Sequence, residues 1–91
     1  MRSDLVKLKN IGPKSAAKLI DVDITSRAQL EALGAAEVFR RLRARHTVSM
    51  TMLWALQGAL LGLPWYALPP EIKQALLDEL TTQPAAPEEQ F

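Results

Sequence analysis

The sequence predicts an all-α fold, a small bundle of five or six short helices. No segment alternates apolar and polar residues with the period of two that marks a half-buried strand, and β-branched residues are few. Apolar residues instead recur at helical spacing between the Pro, Gly, Ser and Thr residues that start and stop helices. The chain has 91 residues, 48% of them hydrophobic, which is the size and composition of one folded domain.

The first half of the chain predicts four helices, at 3–8, 13–21, 27–33 and 35–45. Pro13 suits the first position of the second helix, after a turn that contains Asn and Gly. Ser26 and Gln29 have the spacing of a capping box at the start of the third helix. Gly34 closes that helix and leads directly into the fourth.

The second half predicts two helices and a tail. The fifth helix, at 49–61, is apolar nearly all round, which is typical of the middle of a bundle or of a subunit interface. Gly62 ends it, a loop follows at 64–69, and Pro70 begins a sixth helix that continues to residue 80. Residues 81–91 combine Pro and Glu without periodicity and are predicted to be a disordered tail, which leaves residues 1–80 as the folded domain.

Composition and motifs exclude several classes of function. Cysteine is absent and His46 is the single histidine, so thiolate and histidine-rich metal sites are excluded. No nucleophile elbow, Walker loop, dinucleotide fingerprint or catalytic carboxylate pair occurs. The chain starts without the apolar run of a signal peptide, and its longest apolar stretch is too short and too polar to span a bilayer. We therefore expect a cytoplasmic, non-membrane protein that is not an enzyme and carries no metal or other cofactor.

Charge is distributed unevenly along the chain. Residues 1–50 hold ten of the eleven Lys and Arg and five acids, a net charge of +5, whereas residues 51–91 carry −4. One interpretation is a basic face that meets an anion, and the other is pairing between the two halves.

The segment at 8–19 is the most informative stretch, because it is typical of a helix-hairpin-helix (SAM-like) element. Backbone amides at the start of its second helix point outward, where the helix dipole favours a phosphate. Lys14 and Lys18 are four residues apart on one helix face and can flank the same backbone. Packing of two helices without any ligand is the other open interpretation. The candidate binding residues of this segment are Lys9, Asn10, Gly12, Lys14, Ser15 and Lys18.

The arginines at the end of the fourth helix form a second candidate surface. A planar guanidinium fork suits phosphate and acidic partners. A solvated basic face is the favoured interpretation, because cations stabilise the last turn of a helix and Glu37 has i,i+4 spacing to Arg41. His46 is interpreted as a C-terminal cap rather than a catalytic base. The arginines concerned are Arg40, Arg41, Arg43 and Arg45.

Aromatic residues supply the third candidate. Trp54 lies in the fifth helix among Leu and Met and is interpreted as core. Trp65 and Tyr66 follow in a loop, where they either cover the bottom of the bundle, which is favoured, or form the interface with a partner.

Several motifs together resemble one known family. They are Leu8-x-Asn10-Ile11-Gly12-Pro13-x-Ser15-Ala16, Ile24-Thr25-Ser26 with Leu33-Gly34-Ala35, and Leu53-Trp54-Ala55-Leu56-x-Gly58-Ala59-Leu60-x-Gly62 with Trp65. In these motifs and in the final helix the chain resembles the C-terminal domain of the TfoX/Sxy family, which regulates bacterial competence for DNA uptake. Gly58 is expected to let a neighbouring helix approach closely.

The resemblance implies an all-α domain with a helix-hairpin-helix and a link to competence-gene transcription, together with a cyclic-AMP receptor-type regulator. It implies no catalytic residue. Long family members have another, N-terminal domain, so this chain is expected to be a free-standing module or a fragment of a two-domain protein.

Two functions follow as hypotheses. The leading one is a non-enzymatic regulatory adaptor whose basic half contacts DNA backbone, a transcription-regulator protein, or both. The alternative is a protein-interaction or dimerisation module without nucleic-acid contact, whose interface is the fifth helix or Trp65 and Tyr66. The sequence leaves the oligomeric state open.

Overall fold

The computed structural model describes residues 4–81, apart from the side chains of residues 4 and 6. These residues are helical without a strand, which confirms the all-α prediction. In chain order they form a 3-10 helix Asp4–Lys7, α1 Pro13–Asp21, α2 Arg27–Leu33, α3 Ala35–Arg45, α4 Met50–Leu61, a second 3-10 helix Trp65–Ala67, and α5 Pro70–Thr81. The tail predicted at 81–91 lies outside the described residues except for Thr81, which ends α5.

Helix ends follow the local signals in the sequence. Pro13 is the first residue of α1, and Gly62 ends α4 in the left-handed conformation with φ 75°. The Ser26 side chain accepts a hydrogen bond from the Gln29 amide at 3.2 Å, as a capping box requires. The second hydrogen bond of a capping box, from the Ser26 amide to the Gln29 side chain, is replaced. The Gln29 side chain instead accepts from the Thr25 amide at 2.6 Å.

The predicted first helix is reduced to a single 3-10 turn. The Leu8 amide donates to the Leu5 carbonyl at 3.0 Å, a three-residue spacing, and the chain then turns through residues 8–12 into α1. So few residues cannot nucleate a stable α-helix. The helix-hairpin-helix element is therefore not confirmed, and we call this region the 8–12 turn.

Helix α4 lies in the middle of the bundle, where it contacts α2, α3 and the second 3-10 helix, while α5 packs on α3. Five residues of α4 are buried in this arrangement, whereas Met50 and Leu61 at its two ends are exposed. No polar or charged residue is buried within the described part of the chain. The largest fully buried side chains are Phe39, Leu5, Leu19, Ile24, Leu30, Leu42, Leu53, Leu56 and Val38. Between residues 4 and 81, no helix is long and apolar enough to cross a membrane.

The aromatic residues lie farther out than expected. Trp54 is only partly buried, and the Lys73 ammonium lies 5.4 Å from its ring centroid. Trp65 is 42% exposed and Tyr66 is 70% exposed, so the prediction that these two rings cover the core is wrong. The short helix that carries them packs on the outside of α4 and has no buried residue.

Gly58 allows a close approach, but the segment that approaches it is the chain just after α4 and not a neighbouring helix. A Cβ at Gly58 would lie 2.5 Å from the carbonyl oxygen of Leu63 and 2.6 Å from Nδ2 of Asn10. The chain folds back immediately after α4, and the Leu63 amide donates to the Gly58 carbonyl at 2.9 Å. The glycine thus makes room for that returning chain and for the Asn10 side chain.

Candidate functional site

The 8–12 turn is fastened to the far end of α4 by one side chain. Asn10 has φ 72°, a left-handed conformation that Asn tolerates better than most residues. Its Nδ2 donates to the carbonyls of Leu63 at 2.9 Å and Ala55 at 3.3 Å, and its Oδ1 accepts from the Trp65 amide at 3.1 Å. Both ends of this side chain are therefore used inside the protein, and Asn10 positions the turn and the Trp65 loop relative to each other.

Three lysines of the first half lie in the 8–12 turn and in α1. Lys9 and Lys14 are exposed and Lys18 is partly buried. Among the side chains that the structure describes, none of the three has an ion-pair or hydrogen-bond partner. Gly12 is exposed at the start of α1, and the first turn of that helix contains no acidic residue that would occupy its amides.

The predicted arginine surface is largely engaged within the protein. Glu37 accepts from Arg40 at 2.8 Å and from Arg41 at 3.1 Å, which confirms the expected i,i+4 pair. The hydrogen bond from Arg41, with a further contribution from Arg40, lowers the pKa of Glu37 although partial burial opposes the shift. Arg43 lies over the Phe39 ring, with its guanidinium carbon 5.2 Å from the centroid.

Arg45 and His46 tie the C-terminal ends of α1 and α3 together. The Asp21 carboxylate accepts from Arg45 Nε at 3.1 Å, and His46 Nε2 lies 3.0 Å from the same oxygen. His46 is also the residue at which α3 ends, as expected from its position in the sequence. This contact makes Arg45 part of an interhelical tie.

A cleft of about 490 Å³ opens between α1, the start of α4 and the Trp65 loop. Lys18 is the one charged residue among the described residues that line it, and none of those residues is acidic. Its other lining residues are Asn10, Ser15, Thr47, Val48, Ser49, Thr51, Met52, Ala55 and Trp65. The cleft therefore combines a cation, several hydroxyls and one large aromatic ring.

The structure brings together only part of the predicted site. Of the predicted residues, Asn10, Ser15, Lys18 and Trp65 line the cleft, whereas Lys9, Gly12, Lys14, Tyr66 and the four arginines do not. Sequence reasoning missed Thr47, Ser49 and Thr51, because hydroxyl residues just before a helix are ordinarily explained as caps and Thr51 lies in the first turn of an apolar helix. Ser49 does precede α4, but its side chain makes no capping hydrogen bond. Among the described residues no group of three or more His, Asp or Glu could hold a metal ion.

Two solved structures resemble this fold, and both are from Listeria monocytogenes. One is an uncharacterized protein with 32% identity and a TM-score of 0.76, and the match covers 86% of this chain and 90% of that chain. The other, a protein of unknown function, has 33% identity and a TM-score of 0.72, with 86% and 96% covered. No curated protein matches the chain. The family model described as the TfoX C-terminal domain matches residues 1–80, and the chain therefore belongs to the TfoX C-terminal domain family.

Proposed function

We propose that this protein is a non-enzymatic adaptor in the regulation of competence-gene transcription, and that its lysine-bearing segment binds the backbone of DNA. Membership of the TfoX C-terminal domain family supports the regulatory part of the proposal. The contact with DNA rests on one observation, the absence of protein partners for Lys9, Lys14 and Lys18 within the described residues. Lys9 and Lys14 lie beside the start of α1 and Lys18 lies in its last turn, so together they supply the positive charge that a phosphate needs near the free amide donors of the helix start.

The pairing pattern favours the lysines over the arginines as the contact surface. Binding through Arg40, Arg41 or Arg45 would compete with the carboxylates that these side chains already contact. Binding through Lys14 and Lys18 breaks no existing ion pair. The segment is short and reaches about two or three phosphates, so the logarithm of the affinity should fall with the logarithm of salt concentration at a slope of roughly −2 to −3.

Two matched double variants test this assignment. Lys14→Gln with Lys18→Gln removes two positive charges from the proposed surface, and Arg41→Gln with Arg43→Gln removes two from the alternative surface. Fluorescence anisotropy with a labelled DNA duplex, measured over a series of salt concentrations, gives affinity and slope for each. We expect the lysine variant to lose about two units of slope, because each phosphate contact contributes about 0.9, while the arginine variant keeps most of the wild-type slope.

Circular dichroism of both variants provides the control for folding. All four side chains are at least partly exposed, so helical content should remain at the wild-type level. Equal binding by the lysine variant and the wild type would contradict the proposal. A selective loss in the arginine variant would move the DNA contact to the end of α3.

A second candidate function is a protein-interaction module. The observation that favours it is the exposure of Trp65 and Tyr66, whose rings meet edge to face at 5.6 Å between centroids. Aromatic pairs of this kind are enriched at protein interfaces. If wild-type protein does not bind DNA at low salt, this candidate replaces the first.

A further inference from the structure

Several polar side chains that make no hydrogen bond to the described residues line the cleft. The hydroxyls of Ser15, Thr47, Ser49 and Thr51 line it, and none of them forms a hydrogen bond with another residue of the described 4–81 range. The Lys18 ammonium at the same place has no carboxylate partner within that range. Such a set of donors around one cation matches a ligand that is anionic and rich in acceptor oxygens.

The cleft is also lined by an aromatic ring that is held in place. The Trp65 backbone is bonded to Asn10, and the Tyr66 ring packs against the Trp65 ring at an interplanar angle of 87°. The ring nevertheless remains 42% exposed and borders the same space as Lys18. An exposed ring fixed from two sides is suited to stacking, because little conformational freedom is lost when a planar ligand binds.

We propose that the cleft binds a nucleotide, with its base stacked on Trp65 and its phosphate at Lys18 and the surrounding hydroxyls. This inference rests on the proposed contact with DNA and refines it, because a base that is paired and stacked in a duplex cannot enter the cleft. The preferred nucleic acid is therefore single-stranded. The cleft volume of about 490 Å³ is within the range of small-molecule sites, about 300–1,000 Å³.

The arrangement also suits a continuous strand. Lys14 lies one helical turn before Lys18 on the same face of α1, so a strand whose base enters the cleft can place its next phosphate near Lys14. Phosphate contacts then supply most of the salt dependence, and the stacked base supplies the preference for a single strand. Because every base has an aromatic face, little sequence preference is expected.

Substitution of Trp65 tests the proposal. A labelled single strand of mixed sequence, and the duplex it forms with its complement, are titrated with wild-type protein and with Trp65→Ala. We expect the wild type to bind the single strand about tenfold more tightly than the duplex. Trp65→Ala should weaken single-strand binding about 5- to 150-fold, which corresponds to the ~1–3 kcal/mol of one stacked base, and should leave duplex binding unchanged.

Two further variants separate stacking from a general loss of structure. Leu61→Ala removes an exposed apolar side chain that does not line the cleft, so single-strand affinity should stay within about twofold. Trp65→Phe keeps an aromatic face and should retain most of the single-strand affinity. If Leu61→Ala and Trp65→Ala weaken binding equally, the cleft is not the site.

Competition experiments identify the ligand class. Free deoxythymidine monophosphate should compete weakly, and a polyglutamate peptide should not compete at all. The inference is wrong if the mononucleotide or the peptide competes in a way that depends on Trp65 while the single strand binds no more tightly than the duplex.

The lysine variant distinguishes this inference from the proposed function. Duplex binding that depends on Lys14 and Lys18, with single-strand binding insensitive to Trp65, would overturn the stacking site and leave the backbone contact standing. Absence of binding to either form of DNA would overturn both.

Discussion

Replacement of Asn10 tests how the lysine-bearing turn is attached to the rest of the fold. The Asn10 side chain makes two well-formed hydrogen bonds, to the Leu63 carbonyl at 2.9 Å and from the Trp65 amide at 3.1 Å, and a longer one to the Ala55 carbonyl at 3.3 Å. Asn10→Gly removes all three and keeps a residue that accepts φ 72°. Asn10→Ala removes the same bonds and adds a Cβ that this conformation disfavours.

The two variants should differ by a calculable amount. A hydrogen bond contributes about 0.5–1.5 kcal/mol net, so Asn10→Gly should lower the free energy of unfolding by about 2 kcal/mol. A left-handed Ala costs about 1–2 kcal/mol, partly offset because the unfolded Ala chain has less freedom than the unfolded Gly chain. Asn10→Ala should therefore lose about 3 kcal/mol. A domain of this length has only about 5–14 kcal/mol in total.

Urea denaturation followed by circular dichroism measures both losses. The midpoints should fall in the order wild type, Asn10→Gly, Asn10→Ala, and the slopes should agree, since the surface exposed on unfolding is unchanged. A loss below about 0.5 kcal/mol in Asn10→Gly would show that the three bonds do not stabilise the fold. If Asn10→Gly were less stable than Asn10→Ala, the left-handed conformation of residue 10 would be contradicted.

Two further predictions concern positions around the core. Gly58→Ala should destabilise the protein by about 1–3 kcal/mol, because its Cβ would meet the Leu63 carbonyl, whereas Gly12→Ala, with nothing within 4 Å, should cost less than about 1 kcal/mol in the same urea assay. The pKa of Glu37 is lowered in the folded protein, so its pairs with Arg41 and Arg40 stabilise the fold at any pH above the pKa that Glu37 has in the unfolded chain. This contribution is lost as the pH falls through the pKa of the folded protein. Glu37→Gln should therefore be less stable than wild type at pH 7, by less than about 1 kcal/mol, and the difference should shrink in acid; a difference independent of pH would contradict this assignment.

The helices were predictable because their limits depend on residues within about one turn of each end. Pro13 starts α1, Ser26 caps α2 and Gly62 ends α4, each as its local chemistry predicts. The first helix was mispredicted for the same local reason, since residues 4–7 are too few for an α-helix and settle into a 3-10 turn. Trp54 was assigned to the core from an apolar neighbourhood in sequence, but a helix that is apolar all round leaves the direction of each side chain undetermined.

The cleft was beyond sequence reasoning because its parts are joined by long-range contacts. Asn10 bonds to atoms that are 45, 53 and 55 residues away in sequence. From its residue type we could predict only that Asn10 tolerates a positive φ. No sequence spacing indicated that its side-chain amide would reach the Leu63 carbonyl. As a result, Trp65 was interpreted separately from Lys18, although the fold places both at one cleft.

Charge counts have a related limit, since they show how many cations a segment has but not which are available. The four arginines at 40–45 are the densest basic run in the chain, yet three of them contact carboxylates and Arg43 lies over Phe39. Lys14 and Lys18 are fewer, but none of the carboxylates that the structure describes pairs with them. At the arginines an incoming phosphate must displace an existing protein partner, whereas at the lysines it displaces only water. Displacing the partner costs more, because an exposed ion pair already contributes up to about 1 kcal/mol. The sparser cluster is for this reason the better candidate for binding an anion.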